Sequence, residues 1–246
     1  MMEFTLSGLD DKIRNVIKDF SGTTPLFCLQ DEVLFPGTLL SFYISEEQDK
    51  TMIKDVESGP RLVCVTLLRP EGPDHLVCRH KDQSNVDKKY EATPPIHSIG
   101  TLCYMEALKK YVDGTFDILL LGLTKVLIQE VETDTPYRTG KLTFIEEKRG
   151  EGNIQSLKRK IFRQFGHLLE DIRFMSLADY VQDGFDFELV VNMIAAQLPV
   201  EVEEQQKLLE LDDLSIRAQV LLQFMDTEFR DLVDFGEIIH GDLRMN

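Results

Sequence analysis

PLFCLQDEVLFPG, residues 25 to 37, is the stretch from which this chain is best read. Leu26, Phe27, Cys28 and Leu29 run together with no polar face, the pattern of a strand covered on both sides or of one that closes a barrel. Asp31 and Glu32 break the run. Pro36-Gly37 then predicts a type II turn: proline presets φ at the first central position, and glycine takes the positive φ that the second requires. The chain leaves this turn directly into LLSFYIS, residues 39 to 45, a second strand.

Outward from that core the period stays mostly two from Thr24 to about Glu147. Strands are expected at 26–29, 39–44, 61–68, 76–79, 101–107, 116–121, 125–131 and 138–145, with one helix at 46–56. Short strands at such spacing suggest a barrel or a sandwich. Asp113-Gly114 predicts a hairpin with a type I′ turn, both of whose central residues need positive φ. Gly122, between two apolar runs, predicts a bulge or a bend. At 148–152 the sequence KRGEG turns polar and glycine-rich, which places a domain boundary. Beyond it the period becomes 3.6: Ile154, Leu157, Ile161, Phe165, Leu168 and Ile172 share one face of a five-turn helix. A second helix follows Asp186 as its cap and stops at Pro199, a third spans 201–211, and a fourth begins at Asp213 or Ser215. Ahead of the strands, Ser7, Asp10, Ile13, Val16, Ile17 and Phe20 predict a short amphipathic helix.

The chain has 246 residues, 43% hydrophobic and 28% charged, enough to bury a substantial core. Its formal net charge of −16 repels phosphate backbones, so nucleic acid is a disfavoured partner. Half of that charge lies from Glu201 onward, where twelve acids face four bases. The basic runs Lys88-Lys89-Tyr90, Lys109-Lys110-Tyr111 and Lys158-Arg159-Lys160 are short, and they carry the competing RNA-binding reading. Residues 1–20 hold Glu3, Asp10, Asp11 and Lys12 rather than a signal-peptide core, and no apolar run approaches a bilayer span. A cytoplasmic protein without membrane contact is expected.

Cys28, Cys64, Cys78 and Cys103 lie in apolar runs without a CxxC pair, which reads as buried free thiols. His75, Cys78 and His80 fall short of a four-ligand zinc set, so no metal and no cofactor are expected. Acid pairs such as Glu46-Glu47 and Glu203-Glu204 sit where helices begin, and the helix dipole accounts for them. Neither a GxxxxGK[ST] loop nor a GxSxG elbow occurs, and no catalytic residue is assigned.

The run from Pro25 to Gly37 closely resembles the opening of the N-terminal domain of Lon proteases, where a PLFPL-like strand leads into VLFPG. Gly100, Asp113-Gly114, Gly122 and Pro136-Tyr137 resemble that family's later landmarks in the same order. Gln206-Lys207-Leu208-Leu209-Glu210 followed by Arg217 resembles its Q-x-L-L-E helix with a later arginine. The sequence departs from the family at 45–49, which has neither arginine nor aromatic, and over 70–95. The resemblance implies an α+β protein: a PUA-like β-barrel at 24–147 and a helical bundle at 148–246, after an N-terminal helical extension at 1–23. It implies a stand-alone substrate-recognition domain, without ATPase or peptidase modules, that binds exposed or unfolded polypeptide. A separate protease or chaperone is the expected partner. A structural or oligomerising module is a further alternative. Phe35, Phe42 and Tyr43 beside the turn, with Glu46 and Lys50 on the following helix, are the candidate polypeptide contacts.

Overall fold

Two separate cores explain why the first strands lack a polar face. The computed structural model describes residues 20–69, 94–148, 154–171 and 187–224. Its first unit contains β1 (Thr23–Leu29), β2 (Leu39–Ile44), α1 (Glu47–Ser58), β3 (Leu62–Leu67), β4 (Ile99–Lys110), β5 (Phe116–Val131) and β6 (Thr139–Phe144). Phe27, Val63 and Val65 enter one core with Met105, Ile118, Leu120 and the α1 residues Met52, Ile53 and Val56. Leu26, Leu62 and Cys64 enter the other with Leu102, Val126, Ile128 and Leu142. Successive side chains of a strand point to opposite faces, so 26–29 of β1 and 62–65 of β3 are apolar on both.

The strand order is β2-β5-β4-β3-β1-β6, and β6 pairs again with β5. The ladder from β5 through β4, β3, β1 and β6 therefore returns to β5, with β2 attached outside it. β1 and β3 run parallel, Leu26 opposite Cys64, while the other pairs are antiparallel. Tyr137, at the edge of the first core, donates to Asp55 Oδ2 on α1 at 2.7 Å and fastens the helix to the sheet.

Two local expectations change. The strands expected at 116–121 and 125–131 are one strand, β5, running through Gly122. Register slips there, since Cys103 pairs with Gly122 and Leu102 with Thr124, leaving Leu123 as the extra residue. The bulge bends the strand without ending it. The hairpin after β4 is not a two-residue type I′ turn: Gly114 has φ +84°, but Asp113 does not have positive φ. Tyr111 N–H donates to Thr115 O at 3.0 Å and Gly114 N–H to Tyr111 O at 3.1 Å, closing a three-residue loop, 112–114. Such a loop needs one left-handed residue, which glycine supplies. Asp113 Oδ1 holds it by accepting from Thr115 N at 3.1 Å and Oγ1 at 2.7 Å.

The second unit comprises the chain from Ile145 together with the short segment Phe35–Thr38. Its helices are α2 (Ile154–Asp171), α3 (Phe187–Gln197), α4 (Val202–Glu210) and α5, seen at 214–224. Asp213 caps α5, its Oδ1 accepting from Ser215 N at 2.8 Å and Ile216 N at 3.2 Å. The Phe35–Thr38 segment forms the expected turn: Thr38 N–H donates to Phe35 O at 3.1 Å and Gly37 has φ +81°. Asn192 Nδ2 donates to Pro36 O at 3.1 Å, and Asn192 Oδ1 accepts from Arg217 Nη1 at 2.9 Å. Arg217 is fully buried and also donates to Leu208 O at 2.8 Å and Leu211 O at 2.6 Å. Its Nη2 lies 2.5 Å from Glu147 Oε1. The guanidinium thus satisfies carbonyls at the end of α4, where a cation also meets the helix dipole favourably.

The expected helix at 7–20, the strand at 76–79, the cap Asp186 and the set His75, Cys78 and His80 lie outside the described residues. Among the described residues, no helix is long and apolar enough to cross a membrane.

Candidate functional site

β2 places Leu40, Phe42 and Ile44 against the first core and turns Leu39, Ser41 and Tyr43 away from it. The alternation of LLSFYI dictates this split. Leu39 is 54% exposed and Tyr43 61% exposed, both large for apolar or aromatic side chains. Tyr43 meets Tyr111, at the base of the β4–β5 hairpin, edge to face with ring centroids 6.5 Å apart. The Tyr111 hydroxyl donates to Asp117 Oδ2, and Lys109 Nζ sits 4.6 Å from the ring centroid. Both contacts hold Tyr111 in place and leave Tyr43 as its outer neighbour. At the hairpin tip Val112 is fully exposed. Leu39, Tyr43, Tyr111 and Val112 form an exposed apolar ledge on the first unit.

Of the five residues singled out in sequence, Tyr43 belongs to this ledge. Phe42 faces inward and meets Phe27 edge to face, with ring centroids 5.0 Å apart. Phe35 is 0% exposed and has no face for a ligand. Glu46 is exposed at the start of α1, where its carbonyl accepts from Lys50 N–H at 2.9 Å. The Lys50 side chain pairs with Glu47 at 2.9 Å and acts electrostatically on Asp113. Tyr111 entered the sequence reading only in the Lys109-Lys110-Tyr111 run of the RNA alternative, and Val112 escaped it. A three-residue reading of the hairpin would have put valine at its tip, and the i, i+2, i+4 face of β2 already joined Leu39 to Tyr43.

The remaining chemistry is quiet. Burial pushes the Cys28 thiol up to about 11, the Arg138 charge only partly opposing it. Burial raises Cys64 and Cys103 further, so these thiols stay protonated at neutral pH and are poor nucleophiles. Arg138 itself is held by two bonds to Glu130, at 2.6 and 2.7 Å, and one to Pro94 O at 2.8 Å. Among the described residues, no group of three or more His, Cys, Asp or Glu is arranged to hold a metal ion.

Residues 23–227 match the family model described as the ATP-dependent protease La (LON) substrate-binding domain. The chain belongs to this family. It is similar to the Lon protease of Flavobacterium johnsoniae, 22% identical over 218 residues, covering 85% of this chain and 24% of that protein. The Lon protease of Cytophaga hutchinsonii is 23% identical over 239 residues, covering 92% of this chain and 27% of that protein. The chain thus spans about a quarter of the length of these curated relatives. In fold it is similar to the N-terminal domain of Mycobacterium avium complex Lon protease, with a TM-score of 0.63 at 14% identity, covering 83% of this chain and 98% of that one. A Lon N-terminal domain protein from Xanthomonas campestris gives 0.54 at 20%, with coverages of 82% and 97%. The α+β arrangement of mixed sheet and helices is that of Lon N-terminal domains. Several motifs that carried the likeness in sequence are buried: the Phe-Pro-Gly turn and Arg217 share one hydrogen-bonded network.

Proposed function

We propose that this chain recognises exposed or unfolded polypeptide segments without catalysis, as the recognition element or adaptor of ATP-dependent proteolysis in the cytoplasm. The observation that carries the reading is the ledge of Leu39, Tyr43, Tyr111 and Val112, an exposed apolar surface on a chain of the Lon substrate-binding family. Loosely specific recognition of unfolded chains needs apolar contact that does not demand one sequence, and aromatic rings supply it at low entropic cost. We assign Tyr43 to the centre of the contact and Glu46 and Lys50 to its rim. Phe42 packs on the first core instead, and Phe35 is fully buried. We further read the closed ladder as a PUA-like β-barrel and the helices of the second unit as a bundle; the return of β6 to β5 supports the first.

RNA binding is the competing reading, favoured by the Lys109–Tyr111 stack. Asp113 and Asp117 beside it, and Glu57 at 2.7 Å from Lys110, weigh against a phosphate chain there. The test is fluorescence anisotropy of a labelled, permanently unfolded polypeptide, with unlabelled RNA as competitor. Saturable binding that RNA leaves intact, weakened about fivefold or more by Tyr43→Ala, is the expected result. Displacement by RNA, or no binding at tens of micromolar, overturns the reading.

A further inference from the structure

We propose that β2 accepts polypeptide as an added strand, and that the segments it takes are extended, net basic, and apolar at positions i and i+4. The inference rests on the polypeptide reading above and specifies the segment that binds and the way it is held.

Among the described strands, β2 alone has a single strand neighbour: it pairs with β5 from Leu39 opposite Leu121 to Ile44 opposite Phe116. The other edge left open by the ladder is the outer part of β4, residues 106–110, which pairs with β5 but runs past the last β3 partner. That edge carries Glu106, Lys109 and Lys110, and Lys110 is tied to Glu57. Charges of this kind keep foreign strands off an edge, as do prolines and bulges. β2 has none of the three: LLSFYI is uncharged, contains no proline and holds one unbroken register. An edge left this way offers its outer amides and carbonyls to another extended chain.

The ledge then sets side-chain preference. Leu39 and Tyr43 lie on one face with Ser41 between them, roughly 13 Å apart at the rise of a strand. An added strand projects alternate residues onto the same face, so its residues i and i+4 meet Leu39 and Tyr43 while i+2 meets Ser41. Tyr111, across β5 from the open edge, backs the Tyr43 ring from the inner side, and that ring, larger than Leu39, meets the larger side chain.

Charge selects among occupants. Glu46, Glu47 and Asp49 follow β2, and Asp113 and Asp117 belong to the hairpin. Of the nearby cations, Lys50 pairs with Glu47, Lys110 with Glu57, Lys109 lies on the Tyr111 ring, and the charge of Lys54 acts on Glu47. Burial, and after it the charge of Glu46, raises the Asp49 carboxyl. The whole chain carries −16, which attracts a basic segment and opposes a second copy of itself.

The test uses a lysine-flanked peptide of about ten residues, with valine and phenylalanine four apart, and a series bearing one N-methyl amide each. A strand turns every second amide toward its partner. Methylation at one parity should weaken binding about tenfold or more, with the other parity unaffected. Replacing the flanking lysines by glutamates should cost a similar factor at low salt and less at high salt. Uniform sensitivity to methylation, or binding of the unfolded polypeptide but not of the peptide, overturns this inference and leaves the functional reading standing. If neither ligand binds, both fall. A dimer in sedimentation that Leu39→Lys dissociates would assign the edge to a second copy, and the proposal fails.

Discussion

The Arg217 network and the Tyr43–Tyr111 ledge put their side chains to opposite ends. In the network Arg217, Asn192 and Leu208 are buried, and the guanidinium reaches Asn192, Leu208, Leu211 and Glu147 at 2.5 to 2.9 Å. On the ledge, rings touch one another at the surface and keep their outer faces open. Low dielectric makes each missing partner in the network costly, whereas water replaces whatever is removed from the ledge. The family's sequence landmarks gather where loss is expensive, and the surface assigned to polypeptide carries few of them.

If this contrast holds, Arg217→Met should be the most damaging substitution. It leaves Glu147 as a buried charge without its partner, a loss of about 3–5 kcal/mol, read as a lowered midpoint in urea unfolding. Gly37→Ala comes next. Its methyl would lie 2.4 Å from Leu189 Cδ1, and φ of +81° strains any residue with a Cβ, together about 1–3 kcal/mol. Adding Leu189→Ala should relieve the clash but not the backbone strain, a separation that a double-mutant cycle measures.

A smaller effect belongs to Tyr137, whose bond to Asp55 contributes about 1 kcal/mol. Burial, and then the Asp55 acceptor, push its hydroxyl up from 10.0 to about 12. The folded state thus keeps a proton that the unfolded chain gives up sooner. The associated stability is complete below pH 10 and declines as pH rises toward 12. Tyr137→Phe should lower thermal stability at neutral pH and remove this part of the alkaline decline. Tyr43→Ala should have the least effect on unfolding, within about 0.5 kcal/mol, while weakening polypeptide binding. A large loss of stability from Tyr43→Ala would erase the distinction between the two regions.

How far the sequence reveals each region follows from the range of the forces involved. β2 can be read to the residue, because its alternation and the Pro36-Gly37 turn before it are local signals. The two-sided burial of β1 and β3 is legible for the same reason. Phe35 and Phe42 could have been read either as core or as contact, since only tertiary packing settles what covers a ring beside a turn. The pairing of Tyr111 with Tyr43 stayed hidden because the two lie on different strands, and a one-residue difference in loop type moves Val112 to the tip. Arg217 stood out as a family landmark, but nothing near it in sequence names Pro36, Asn192 or Glu147 as members of its network.

Phe35–Thr38 also has a consequence in time. The segment lies between two strands of the first unit, yet it packs with the second, and the Asn192–Pro36 bond spans 156 positions. On a ribosome adding about 5–20 residues per second, that interval is on the order of ten seconds. Until Leu189 and Asn192 emerge, Gly37 lacks the side chain packed on it and the Pro36 carbonyl lacks its amide donor. In a nascent chain the carbonyl of this first turn is therefore held by water, and it exchanges water for Asn192 only when the helices have been made.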